Sequence, residues 1–332
     1  MAFNDSYRRQ VALLLRTMPF IAQEASFALK GGTAINLFVR DLPRLSVDID
    51  LTYLPLLPRA RSLGAIDKAM QRIAARVQKA IKAAHVTSAA VEGAVTKLFV
   101  REAGVQIKIE VTPVMRGCAY AAELRGVSPA VEAAFGFAEM KVLSFPDLYA
   151  GKIVAAFDRQ HPRDLFDVRD LLANEGIDDR LRAAFIVYLL SHNRPMAEVL
   201  AVRPKDIAAE FASGFQGMTA QPVALEELIA ARAALVDGMI TNMPHPLQAH
   251  GLRSRRQGHN LAQRLARQRL RRRSHRSGQE SPDRCRPTST PPRPWSLRAL
   301  PEQGRSSPDP GSSEPRKGCS KHRSGYDKAR PG

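Results

Sequence analysis

The 332 residues, 44% of them hydrophobic and 25% charged, are enough for two ordinary domains. The formal net charge of +18 suggests a polyanionic partner, yet residues 246–332 hold 21 of the 50 Lys and Arg and 6 of the 32 Asp and Glu, leaving residues 1–245 near neutral with 29 bases and 26 acids. Three scattered cysteines (Cys118, Cys285 and Cys319), no run near the roughly 20 apolar residues of a membrane span and no secretory pattern at the N-terminus exclude a disulfide scaffold and a membrane protein, and predict a reduced, cytoplasmic chain.

In chain order, Tyr7 to Phe27 carries Val11, Leu14, Leu15, Phe20 and Ile21 at helical spacing and predicts one helix broken at Pro19. Phe27-Ala28-Leu29 leads into Gly31-Gly32, and Thr33 to Val39 reads as a helix whose first turn follows the glycines. Strict alternation from Val47 to Tyr53 predicts a strand with Val47, Ile49 and Leu51 on one face and Asp48, Asp50 and Thr52 on the other. Ser62 to Ala84 repeats Ile66, Met70, Ile73, Val77 and Ile81 at amphipathic-helix intervals. Its outer face of Lys68, Arg72, Arg76, Lys79 and Lys82 is either solvated or turned toward RNA. Thr96 to Glu102 and Val105 to Thr112 predict a hairpin about Ala103-Gly104, with Glu110 leaving its strand toward a polar face. From Phe145 the pattern is helical: Pro146 to Arg159, Pro162 to Asn174, Asp178 to Ser191, Pro204 to Ala212 and Pro222 to Ile240, all but one opening on a proline.

The expected organisation is an α+β body, with an α/β core over residues 1–144 and a helical subdomain over 145–245. Residues 246–332 form a tail of Arg, Pro and Ser too poor in apolar periodicity to offset chain entropy. Within it, Leu261 to Leu270 would become a basic helix only on an anionic partner. Arg outnumbers Lys 18 to 3 there and 20 to 9 before it, which raises the prospect of an out-of-frame or fused extension beginning near Pro246.

Asp48 and Asp50, two residues apart on a strand, place like charges side by side, and a hard oxygen-seeking cation such as Mg²⁺ is their natural companion. The competing reading is a solvent-facing strand whose acids keep an edge soluble. Gly31 and Gly32 permit close approach of backbone to a phosphate, and Thr33 and Ser46 bring hydroxyls to the same group, although a glycine pair is also a common turn. Glu110 adds a third carboxylate able to ligate metal and accept a proton, or is a plain surface acid of an alternating strand. Lys152 either neutralises triphosphate or is a solvated helix lysine. Arg163 and Asp167 stand at i and i+4 as a possible helix-surface ion pair; alternatively Asp164 or Asp167 orients Lys152 or contacts base or ribose. His161, before Pro162, reads as a turn residue.

The ordered set Lys30-Gly31-Gly32-Thr33-Ala34, Arg44-x-Ser46-x-Asp48-Ile49-Asp50-Leu51, Ile107-Lys108-Ile109-Glu110-Val111, then Lys152 and Arg163-Asp164-Leu165-Phe166-Asp167 resembles the AbiEii/AbiGii nucleotidyltransferase toxins of the polymerase-beta-like superfamily, over about residues 10–245. The resemblance implies a small mixed sheet with flanking helices and a helical C-terminal half. Asp48 and Asp50 match the metal-binding pair, Gly32 and Ser46 positions around the nucleotide phosphates, and Lys152 the second-motif lysine. Asp164 and Asp167 match the acids of the Arg-Asp-x-x-Asp pattern, and Glu110 stands where an Asp is common. It further implies transfer of NMP from an NTP with two Mg²⁺ ions, a toxin–antitoxin or abortive-infection role, a cognate antitoxin and, in some relatives, the 3′ end of tRNA as acceptor. Two rivals stand beside it: an inert nucleotidyltransferase-like body whose basic tail binds RNA or DNA, and a phosphohydrolase using the same acids with water.

Overall fold

The computed structural model describes residues 3–113, 115–201 and 203–241, all within one compact unit. The expectations for residues 246–332, the Leu261 to Leu270 helix included, lie outside the described residues. Helix α1 (Asp5–Ala22) is capped by Asn4, whose side chain accepts from the Ser6 amide. It passes through Pro19 without breaking and ends five residues before Phe27, because buried Leu14, Leu15, Met18 and Ile21 hold both sides of the proline in the core. Phe27 opens strand β1 (Phe27–Lys30), and α2 (Gly31–Ala34) runs on as a π-helical turn, Ile35–Val39. Next come β2 (Asp48–Tyr53), α3 (Arg59–Ala80), β3 (His85–Val91), β4 (Ala94–Glu102), β5 (Val105–Val111), β6 (Glu123–Gly126), α4 (Pro129–Phe135) and β7 (Glu139–Val142).

The strands form one mixed seven-stranded sheet in the order β3-β4-β5-β2-β1-β7-β6. Strand β2 lies antiparallel to β1 and parallel to β5, and β1 lies parallel to β7. Period-two alternation sends Ile49, Leu51, Leu98, Val100, Ile107 and Ile109 to a fully buried face against α1 and α3. The β4–β5 hairpin turns at Ala103 and Gly104, both with positive φ (48° and 78°), the conformation that matches strand twist. The basic face of α3 is only partly solvated: Arg72 and Arg76 both donate to the buried Glu24 carboxylate, at 2.6 to 2.9 Å.

The helical half is α5 (Phe145–Asp158), α6 (Pro162–Asn174), α7 (Asp179–Leu190), α8 (Met196–Leu200), α9 (Ala208–Gly214) and α10 (Leu225–Val236), closed by a π-helical turn, Asp237–Thr241. Pro146 and Pro162 do sit in first helical turns, where a missing N–H costs nothing. Pro204 and Pro222 do not: residues 203–207 have no regular structure and α9 starts at Ala208, and α10 starts three residues past Pro222, at Leu225. Helix α5 packs on α6 and α7, and α2 touches both α5 and α6, which brings the helical half against the polar end of β1 and β2. Among the described residues no helix is long and apolar enough to cross a membrane.

Candidate active site

Strand register builds one wall of the site. Asp50 lies opposite Lys30 on β1 and beside Glu110 on β5, and Glu110 lies opposite Lys97 on β4. Lys97, Glu110, Asp50 and Lys30 thus form a row of alternating charge across four strands, and Lys108 with Asp48 form the adjacent pair. The two Glu110 carboxylate oxygens are each taken by an ammonium, Lys97 Nζ at 3.0 Å and Lys108 Nζ at 2.9 Å. Burial pushes the Asp50 carboxyl up; the Lys30 ammonium offsets this in part, and the negative charge of Asp48 adds to it. Burial lowers the Lys30 ammonium, against the pull of Asp50 and Glu110. Burial also opposes the charge on Glu110, but its hydrogen bonds to Lys108 and Lys97 prevail and its pKa falls.

Asp48 and Asp50 fit a hard divalent cation, because carboxylate oxygens are its preferred donors and a positive charge there relieves the crowding that burial imposes on Asp50. Among the described residues no three acids, histidines or cysteines converge as a metal-holding group. The expected third ligand, Glu110, is next to Asp50 in register but is occupied by lysines.

The glycines are required by the protein's own atoms. Gly31 has φ +74°, and a Cβ there would stand 2.7 Å from Asp50 Oδ2. A Cβ on Gly32 would stand 2.7 Å from Arg44 Nη2 and 2.9 Å from Ser46 Oγ. Both glycines and Ser46 line the cleft. Thr33, expected to offer its hydroxyl there, is buried, 1% exposed, and behind the wall. Its hydroxyl donates to the Asp48 carbonyl, with Ser46 Oγ 3.0 Å away, and so ties α2 to β2 directly beneath the acids.

The facing wall comes from α5 and α6. Lys152 Nζ lies 2.8 Å from Asp164 Oδ1 and 2.9 Å from Asp167 Oδ2. Asp164 also accepts from Arg159 at 2.6 and 3.0 Å. Asp167 receives a two-pronged bond from Arg44, Nε to Oδ1 at 2.8 Å and Nη2 to Oδ2 at 2.6 Å, and a third donor from Asn36 Nδ2 at 3.0 Å. Burial opposes the charge of both carboxylates, yet these cations hold both well below the usual range, Lys152 foremost for Asp164 and Arg44 for Asp167. Burial likewise opposes the charge of Lys152, but Asp164 and Asp167 raise its pKa. The expected surface pair of Arg163 with Asp167 is absent, because the α6 face carrying Asp167 points inward with Leu171 and Val168. His161 caps α6, its Nδ1 accepting from the Arg163 amide at 3.1 Å, in keeping with a turn residue.

Between the walls lies a cleft of about 510 Å³. Of the expected site residues, Gly31, Gly32, Ser46, Asp48, Asp50, Glu110, Lys152 and Asp164 line it, while Thr33 and Asp167 support it from behind. Lys30, Arg44 and Lys108, which the motifs contain but to which the sequence assigned no role, also line it, as does Arg159. Arg44 was within reach of sequence reasoning, since it stands two residues before Ser46 in the same motif. Asp147, Asp158 and Arg163 also line this side, and among these groups Arg44, Lys152 and Arg159 form one cationic cluster about two carboxylates, Arg159 with its side chain 62% exposed. Such a wall suits an anion.

The chain matches, over residues 12–273, the family described as nucleotidyl transferase AbiEii toxin, type IV TA system. Among solved structures it is similar to MenT4, a nucleotidyltransferase toxin from Mycobacterium tuberculosis H37Rv. The identity is 17% and the TM-score 0.59, over 77% of this chain and 91% of that one, a likeness of fold. Comparison with curated proteins finds no match.

Proposed function

Because the chain belongs to the AbiEii nucleotidyltransferase toxin family of toxin–antitoxin systems, we propose that this cleft transfers NMP from an NTP to an acceptor hydroxyl in the cytoplasm. The observation that carries the reading is the facing of two walls, one bearing Asp48 and Asp50 and the other bearing the cations Lys152, Arg44 and Arg159. The acceptor oxygen bonds to the α-phosphorus, the bond from that phosphorus to the bridging oxygen breaks, and pyrophosphate leaves. Lys152 and Arg44, oriented by Asp167, face the triphosphate together with Gly31, Gly32 and Ser46. Asp164 anchors Lys152 and Arg159, which favours a positioning role over a contact to base or ribose. Glu110 takes the acceptor proton. Asp48 and Asp50, with Glu110 joining them, would hold two Mg²⁺ ions, which would supply charge to stabilise the entering and leaving oxygens. We read residues 1–144 as the core that carries the acids and 145–245 as the subdomain that completes the site. RNA, with the 3′ end of tRNA foremost, is the proposed acceptor, and a cognate antitoxin the proposed partner.

Purified protein with Mg²⁺, total RNA and each labelled NTP in turn tests reaction, nucleotide and acceptor together. Label should enter RNA with the intact protein and vanish with Asp48→Ala at unchanged circular dichroism; undiminished labelling in that variant contradicts the assignment. The basic composition of residues 246–332 favours a second reading, nucleic-acid binding by the tail on an inert body. The family match runs to residue 273, past the expected break near Pro246. Deletion of residues 274–332 is therefore the cut that spares the matched region. Transfer that survives it supports the enzyme; loss of steeply salt-dependent RNA binding, with no transfer beforehand, supports the binder.

A further inference from the structure

We infer that Lys97 and Lys108 withhold Glu110 from metal in the free protein, so that metal enters this site as a metal–nucleotide complex and not as a free ion. The inference rests on the nucleotidyltransferase reading of Asp48 and Asp50. The sheet wall holds three carboxylates, Asp48, Asp50 and Glu110, and strand pairing interleaves them with three lysines, Lys30, Lys97 and Lys108. The wall is therefore neutral before anything binds. A dication arriving alone meets a wall without net charge and, to be held by Glu110, must displace two ammonium partners at 2.9 and 3.0 Å. It is left with the adjacent pair Asp48 and Asp50.

A metal bound to triphosphate arrives with net negative charge, and the balance reverses. Lys108 lines the cleft, stands beside Asp48 in register and is about one third exposed, so its ammonium can leave Glu110 for a phosphate oxygen without unpacking the core. Lys152, Arg44 and Arg159 of the helical wall face the same cleft. Glu110, released on one oxygen, then becomes available as ligand and base. Lys97 lies on β4 with its side chain 36% exposed and keeps the other oxygen, which fixes the carboxylate in place during the exchange.

The test is titration of the nucleotide-free protein with Mn²⁺, free ion being counted by electron paramagnetic resonance. The intact protein should bind Mn²⁺ weakly, and the variant Lys97→Met/Lys108→Met at least about tenfold more tightly, since two positive charges next to the site are gone. Lys108→Arg, which keeps the charge, should stay near the parent value. Lys97→Met alone, at the exposed rim, should show part of the gain and guards against a double variant that fails to fold. Affinity unchanged within about twofold in folded Lys97→Met and Lys97→Met/Lys108→Met protein overturns the inference, as does tight Mn²⁺ binding by the parent. Adding Asp48→Ala to the double variant should erase the gain. A gain that survives it overturns instead the assignment of metal to Asp48, so the two failures are distinct.

Discussion

The two walls of the cleft carry similar charges and hold them by opposite means. On the helical wall Asp164 and Asp167 are buried to 0% and 1% exposure, and every oxygen is met by Lys152, Arg44, Arg159 or Asn36. On the sheet wall the acids are half-buried and their counter-charges are lysine ends, long flexible stems that trade one oxygen for another at small cost. The first wall is fixed when the chain folds and resembles a socket. The second is held by partly exposed ammonium groups, which the proposed exchange would let go. Under the proposed function the fixed wall would hold the triphosphate and the exchangeable wall would take up the metal.

This contrast is sharpest in stability. Asp167→Ala strips Arg44 and Lys152 of their shared carboxylate and leaves buried cations behind, which should cost about 3–5 kcal/mol in urea unfolding; a loss under about 1 kcal/mol would make the helical wall as loose as the sheet wall. The same pairing sets the acid limb. Because the folded-state pKa values of Asp164 and Asp167 lie below those of the unfolded chain, their contribution is fully present above the unfolded carboxyl range near 3.9 and is lost as pH falls through the folded values. Stability should therefore drop steeply below about pH 4, and more shallowly in Asp167→Ala.

Gly31→Ala sits on the sheet wall, where φ +74° and the 2.7 Å approach to Asp50 Oδ2 should cost about 1–3 kcal/mol and displace Asp50 from Asp48. Transfer activity should fall much further than that stability loss explains, measured at a temperature where the variant is fully folded. Equal falls in activity and folded fraction would reduce Gly31 to a turn residue. The smallest effect belongs away from both walls: Arg59 and Glu92 form an ion pair with side chains 47% and 56% exposed, and Arg59→Ala should change stability by at most about 0.5 kcal/mol.

The difference between the walls also explains what the sequence made legible. Period-two alternation exposed Asp48, Asp50 and Glu110, since a strand's own spacing fixes which face a side chain takes. It did not expose Lys30, Lys97 or Lys108 as their counter-charges, because that depends on the register between strands, which no single strand encodes. Helix starts at Pro146 and Pro162 were readable from local chemistry. The Arg44–Asp167 bond joins residues 123 apart, and the i+4 spacing of Arg163 and Asp167 suggested a nearer partner that burial of α6 rules out. Strands β3 and β6 went unseen for a different reason. Edge strands with mostly exposed or half-exposed residues lack the apolar alternation by which a strand is recognised.

The claim that the two walls together perform nucleotidyl transfer is tested most directly by following both halves of one NTP. With label on the α-phosphate and, separately, on the γ-phosphate, the parent protein should place α-label in RNA and release γ-label as pyrophosphate in equal amounts, and Asp48→Asn should do neither. Release of inorganic phosphate without label entering RNA, or equal transfer by Asp48→Asn, would contradict the account.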